Sequence, residues 1–108
     1  MKINLSKPIP HIQGGFIQME DTNENGTPVT VDMPASKFLL RVLDTPREGK
    51  DNMAVGDVQW IIRTSEINGE TETDLTNAQC VLIQSELKSI DGLSSSIVSQ
   101  LVNMLEAK

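Results

Sequence analysis

The chain has 108 residues, a formal net charge of −6 at pH 7 and 38% hydrophobic residues, which fits one small globular domain. The negative charge disfavours phosphate backbones and anionic membrane surfaces, so neither a nucleic acid nor a membrane is expected as a partner. With one histidine, one cysteine and no tyrosine, a His–Cys catalytic site is almost excluded and a tetrahedral zinc site cannot form. We therefore expect a non-enzymatic protein without a cofactor.

Residues 1–33 carry the period-two alternation of β-strands. Residues 3–5 alternate briefly, and the runs 16–20 and 27–33 alternate on either side of Asn25-Gly26, a pair that tolerates positive φ. This pattern predicts an antiparallel β-hairpin with a loop longer than two residues. Because a lone hairpin is marginal in water, residues 3–5 should join it or the helices should cover it.

The second hairpin strand places Val29 and Val31 on one face. Pro28 at its start is typical of an edge strand. An unpaired edge can add a strand from another chain, so if a second copy covers the hairpin, we expect it to pair along residues 29–33, which include Val29 and Val31.

Residues 34–108 change to the helical period. Four short helices are predicted, over residues 34–43, 53–67, 77–89 and from 94–96 to the end. The third has a mixed apolar face that includes Val81, and its short link to the fourth, Ile90-Asp91-Gly92-Leu93, predicts antiparallel packing. The sequence thus predicts a single α+β domain in which a hairpin or small sheet packs against about four helices.

Trp60 lies at the edge of the apolar face of the second predicted helix. We expect it to belong to the core. If it is instead left outside, it becomes a candidate interface anchor, because tryptophan is enriched at binding hot spots.

The stretch from residue 66 to residue 74 contains four acidic residues and no basic residue. These are Glu66, Glu70, Glu72 and Asp74. Nothing in the pattern raises the pKa of one carboxyl relative to another, so acid–base chemistry is disfavoured. We expect a solvated, mobile loop over residues 69–73 and an acidic surface for a protein partner.

The two remaining reactive side chains are predicted to be unavailable for chemistry. Cys80 stands in an apolar helical run and should be a small buried hydrophobe. His11 follows Pro10 in an extended segment and should be a surface or turn residue. No apolar run is long enough for a signal peptide or a membrane span, so we expect a cytoplasmic protein.

The layout resembles small accessory proteins of tailed-phage and prophage genomes. The resemblance rests on the opening residues 1–9, the early Gly14-Gly15 turn, the helix from about Ala35, residues 57–63, the acidic break at residues 68–74 and the closing helix 97–106. The longer hairpin of residues 16–33 departs from that layout. The resemblance implies a tail-assembly or similar factor in the host cytoplasm, and it transfers no functional residues.

Two functions remain open from the sequence. The first is an assembly or interaction protein of phage type that presents apolar and acidic surface to another protein, such as a phage structural protein, and that can form a homo-oligomer. The alternative is an inhibitor of a host defence nuclease that mimics nucleic acid. Such a mimic must align its acids on one face, namely Glu20, Asp21, Glu24, Asp32, Glu66, Glu70, Glu72 and Asp74.

Overall fold

A computed structural model of the chain describes residues 2–11, 13–46, 49–90 and 93–106. It confirms the predicted α+β class, with four helices and two two-stranded antiparallel sheets in those ranges. In chain order the elements are β1 (Lys2–Asn4), β2 (Gln18–Thr22), β3 (Pro28–Asp32), α1 (Ala35–Asp44), α2 (Asn52–Ile67), β4 (Glu72–Asp74), α3 (Asn77–Ser89) and α4 (Ser95–Glu106). Asp91 and Gly92 of the predicted short link lie outside the described residues, as do residues 47–48.

One sheet joins segments about seventy residues apart in sequence. β1 pairs antiparallel with β4, and Ile3 lies opposite Thr73 with both side chains buried. The predicted mobile loop over residues 69–73 is therefore wrong in its second half, and residues 2–4, which overlap the predicted run 3–5, pair with β4 rather than with the hairpin. Leu5 and Leu75 continue the same alternation and are also buried. Burial of this one face of the sheet fixes the register between the two strands.

The other sheet is the predicted hairpin. β2 and β3 pair from Gln18↔Asp32 to Thr22↔Pro28. The five-residue link between them confirms the expectation of a longer loop. The Asn23 Oδ1 accepts hydrogen bonds from the backbone N–H groups of Asn25 and Thr27, both at 3.0 Å, and Gly26 has a φ of 77°, which glycine adopts without strain.

Backbone hydrogen bonds fasten the base of the hairpin to the N-terminal arm. The Ile17 N–H donates to the Ile9 carbonyl at 2.9 Å, and the Met33 N–H donates to the Ile17 carbonyl at 2.7 Å. The chain then returns beside its own start, because the Ala35 N–H donates to the Lys7 carbonyl at 2.9 Å. The hairpin is thus anchored at one end only.

Local sequence explains where the helices begin and end. The Asp51 carboxylate accepts a hydrogen bond from the Ala54 N–H at 3.1 Å and caps α2, and Gly69, with a φ of 69°, follows its end. Thr76 and Gln79 form a reciprocal capping box at the start of α3. Pro34 precedes α1 as its N-cap rather than standing in its first turn.

The core is aliphatic. Its largest fully buried apolar side chains come from all four helices and from the segments around β1 and β4: Leu5, Ile9, Leu39, Leu43, Ile62, Leu75, Ile83, Leu87, Leu101 and Leu105. The face predicted for α3 is partly wrong, because Val81 is 63% exposed while Cys80 and Ile83 are buried. All three aromatic residues of the chain lie outside the fully buried set.

Candidate interaction surfaces

An apolar stripe runs along the outer side of α2. Met53, Trp60 and Ile67 are 81%, 68% and 62% exposed. They recur every seven residues, which is close to two helical turns, so the three side chains lie on one line along the helix. Isolated exposed apolar residues are ordinary, so it is the regular spacing of these three that makes this side of α2 a candidate contact surface.

The expectation that Trp60 belongs to the core is wrong. The inner face of α2 is set by Val55, Val58 and Ile62, all buried. Trp60 is two residues from both Val58 and Ile62, and two residues turn a helix by about 200°, so it points away from the core. The sequence shows a second apolar line on α2, the seven-residue repeat of Met53, Trp60 and Ile67, but it does not show which of the two lines faces inward.

Gly56 lies beside this stripe and has no structural requirement within the chain. A Cβ added at this position would meet no atom within 4 Å, and a helical glycine costs about 1 kcal/mol relative to alanine. The open space at Gly56 lies one helical turn from Trp60.

The acidic stretch divides into a structural residue and a surface group. Glu66 belongs to α2, and its side chain is only 14% exposed. The Ser36 hydroxyl donates to its carboxylate at 2.8 Å, and Lys37 Nζ and Arg63 lie 3.3 and 3.4 Å away. The expectation that the Glu66 side chain is solvated is therefore wrong. Its carboxylate joins α2 to α1 through Ser36 and Lys37, which lie about thirty positions away in the chain.

The other three predicted acids come together. Glu70, Glu72 and Asp74 line one open cavity of about 500 Å³ with Lys2. Glu72 and Asp74 are exposed on β4, where Asp74 lies opposite Lys2 in the register. Three carboxylates around one lysine give this surface a net negative charge, which suits a basic contact on another protein.

Val29 and Val31 share one face of the hairpin, as predicted, and the pairing adds Met19 to that face. Val31 lies opposite Met19, and Val29 lies opposite Asp21. Val29 is half-buried while Val31 is exposed. This face is only partly apolar, because a carboxylate interrupts it.

The eight acids named for a nucleic-acid mimic do not lie on one face. Glu20 and Asp21 are neighbours in β2, and successive side chains of a strand point to opposite faces. Glu66 is turned toward Ser36 and Lys37. The single row of phosphate-like charges that a mimic requires is therefore missing from the described part of the chain.

His11 and Cys80 occupy the kinds of environment predicted for them. His11 is exposed, and its Nδ1 accepts a hydrogen bond from the Gln13 N–H at 3.1 Å in a turn. Cys80 is 3% exposed, and burial raises the pKa of its thiol, which keeps the thiol protonated and unreactive. Among the described residues, no three His, Cys, Asp or Glu side chains form a group able to hold a metal ion.

Comparison with known proteins found no matching family model, no matching curated protein and no matching solved structure. Within the described ranges, no helix has the length and apolar character needed to cross a membrane.

Proposed function

We propose that this protein is a non-enzymatic interaction factor whose principal contact surface is the outer stripe of α2. The observation that supports the proposal is the exposure of Met53, Trp60 and Ile67 along one line of the helix. When a partner covers large apolar side chains, their removal from water stabilises the complex by about 25 cal/mol for each Å² of apolar surface buried.

The geometry of the stripe favours a helix as the partner's contact element. Side chains repeated every seven residues supply one of the two inward positions in each heptad of a helix pair, and Gly56 and Arg63 stand at the other. Trp60 at the centre supplies the large, flat side chain that dominates many interfaces. Arg63 and Asp57 on its flanks carry opposite charges, so the stripe itself is nearly neutral in an otherwise acidic protein.

The resemblance in layout to small tailed-phage and prophage proteins supports a role as an assembly or accessory factor, acting in the host cytoplasm on a phage structural protein. The neighbouring genes test this role directly. Capsid, tail or assembly genes on both sides are expected. A metabolic operon around the gene would count against it.

The contact surface is tested with a triple variant, Met53→Gln, Trp60→Gln and Ile67→Gln, because glutamine is a good helix former that removes the apolar surface. Val81→Gln, at an exposed valine of α3, is the matched control. Tagged protein is co-expressed with the flanking genes, and associated proteins are quantified by mass spectrometry. We expect the triple variant to lose its partner by about tenfold or more.

Equal recovery by all three proteins would contradict the proposal. Trp60 is the chain's single tryptophan, so its fluorescence provides a second readout. Adding the purified partner should move the emission to shorter wavelength as the indole leaves water. Light scattering of the protein alone, across a concentration series, shows whether the partner is a second copy.

A further inference from the structure

The hairpin offers a second contact surface, formed by backbone groups rather than by apolar side chains. Met33 N–H donates to the Ile17 carbonyl and Asn23 N–H donates to the Thr27 carbonyl, and these bonds bracket the β2–β3 ladder. Antiparallel pairs alternate between hydrogen-bonded and non-hydrogen-bonded. The pair Met19–Val31 is therefore hydrogen-bonded, whereas Glu20–Thr30 is not, and Glu20 turns its N–H and carbonyl outward.

The outer edge of β2 is open beyond the base of the hairpin. Residues 9–11 pair with residues 15–17 and cover the edge as far as Ile17. Further along, Gln18 and Glu20 present N–H groups for which the described residues supply no acceptor, and the Thr22 N–H is taken locally by the Asp21 carboxylate at 2.8 Å. On the edge of β3, Pro28 has no N–H to offer. Although Thr30 and Asp32 also turn outward, this strand carries a single carboxylate, Asp32, which accepts a hydrogen bond from the Gln18 side chain.

The charged side chains of the hairpin are all negative. From Pro8 to Ser36 the chain has no lysine or arginine, yet it carries Glu20, Asp21, Glu24 and Asp32. Along β2 itself, Glu20 and Asp21 point to the two opposite faces of the strand. A strand added beside β2 would therefore meet a carboxylate on each of its faces.

We propose that the outer edge of β2 binds an extended, lysine- or arginine-rich segment of another protein, which adds to the sheet as a third strand. Main-chain hydrogen bonds to Gln18 and Glu20 supply the pairing, and basic side chains at neighbouring positions meet Glu20 and Asp21. A second copy of this chain fits poorly here, because it would bring two further carboxylates to the same short ladder.

A peptide assay tests this surface. The probe is a fluorescent peptide of about nine residues in which lysine alternates with valine. Two comparison peptides are used. The first has glutamate in place of lysine, and the second keeps lysine but has N-methyl groups on every second amide. We expect the lysine peptide to raise the fluorescence anisotropy, with an affinity that falls as salt rises, and both comparison peptides to bind about tenfold more weakly or less.

Four variants locate the edge. Glu20→Gln should weaken binding about two- to fivefold, as expected for one exposed charge pair. Glu20→Pro should weaken it further, because it also removes the outward N–H. Thr30→Pro makes the equivalent change on the β3 edge and should leave binding unchanged. Glu106→Lys, on α4, alters the net charge away from the hairpin and should also have little effect.

The proposal is overturned if the glutamate or N-methylated peptide binds as well as the lysine peptide, or if Thr30→Pro abolishes binding while Glu20→Pro does not. It is equally overturned if the protein dimerises through the hairpin in preference to binding the peptide. Circular dichroism confirms that each variant is folded. No α2 residue enters this assay, so its outcome is independent of the outer stripe.

Discussion

The two small sheets of this protein have the same number of strands and opposite surroundings. In the β1–β4 sheet, Ile3 and Thr73 face the core and are buried. In the β2–β3 hairpin, only Met19 and Val29 are half-buried, and the other strand residues are exposed. One sheet contributes to the stability of the domain, whereas the other extends from it. An equal number of strands therefore does not mean an equal contribution to the core.

The largest expected difference is between core and hairpin truncations. Ile3→Ala should reduce the free energy of unfolding by about 2–4 kcal/mol, because it removes a buried side chain and leaves a cavity. Val31→Ala should cost less than about 1 kcal/mol, since the side chain is already exposed. Urea denaturation measures both. Equal losses would mean that the hairpin is part of the cooperative core.

An intermediate effect should separate the two kinds of acidic residue. Glu66→Gln should destabilise the protein by about 1–2 kcal/mol, because it weakens the charged hydrogen bond from Ser36 and the contact with Lys37. Glu72→Gln, at an exposed strand position, should change stability by less than about 0.5 kcal/mol. Thermal unfolding of the two variants side by side tests this, and a larger loss for Glu72→Gln would reverse the assignment.

The smallest expected effect concerns Cys80. Burial raises the pKa of its thiol, so the unfolded chain releases the thiol proton at a lower pH than the folded chain does. The contribution of the protonated Cys80 thiol to stability is present at neutral pH and is lost as the pH rises through the folded-state pKa. In Cys80→Ala, the free energy of unfolding should therefore decrease less steeply with pH above about pH 8.5 than in the wild type.

A thiol-reactive dye provides the control for that measurement. Native protein at neutral pH should react slowly, and reaction should become fast on addition of denaturant. Rapid reaction of the native protein would show that Cys80 is accessible, contrary to its burial in the core.

Most of the helical architecture could be predicted from the sequence, because its signals are local. The predicted helix 53–67 differs from α2 by one residue at its start, where Asp51 forms the cap. β4 could not be predicted. It has three residues, of which only Thr73 is buried, and its pairing depends on β1, a partner too distant for any local pattern to indicate.

The candidate contact surfaces are only partly predictable for a similar reason. A helical period gives the spacing of apolar residues but not which of two apolar lines faces inward, and α2 has two. Ile62 and Trp60 are both large and apolar, and only packing against the rest of the core decides between them. Likewise, the carboxylate of Glu66 looked solvated because Ser36 and Lys37 are about thirty positions away in the chain.

The position of the hairpin in the chain has a consequence for variation and engineering. Lys7 and Ala35 are joined by a backbone hydrogen bond, so the segment between them leaves and re-enters the domain at one point. Ile9 and Met33 lie within that segment and are buried, whereas the hairpin strands beyond them are largely exposed. We therefore expect a shorter or longer hairpin joined at residues 18 and 32 to leave the rest of the domain folded.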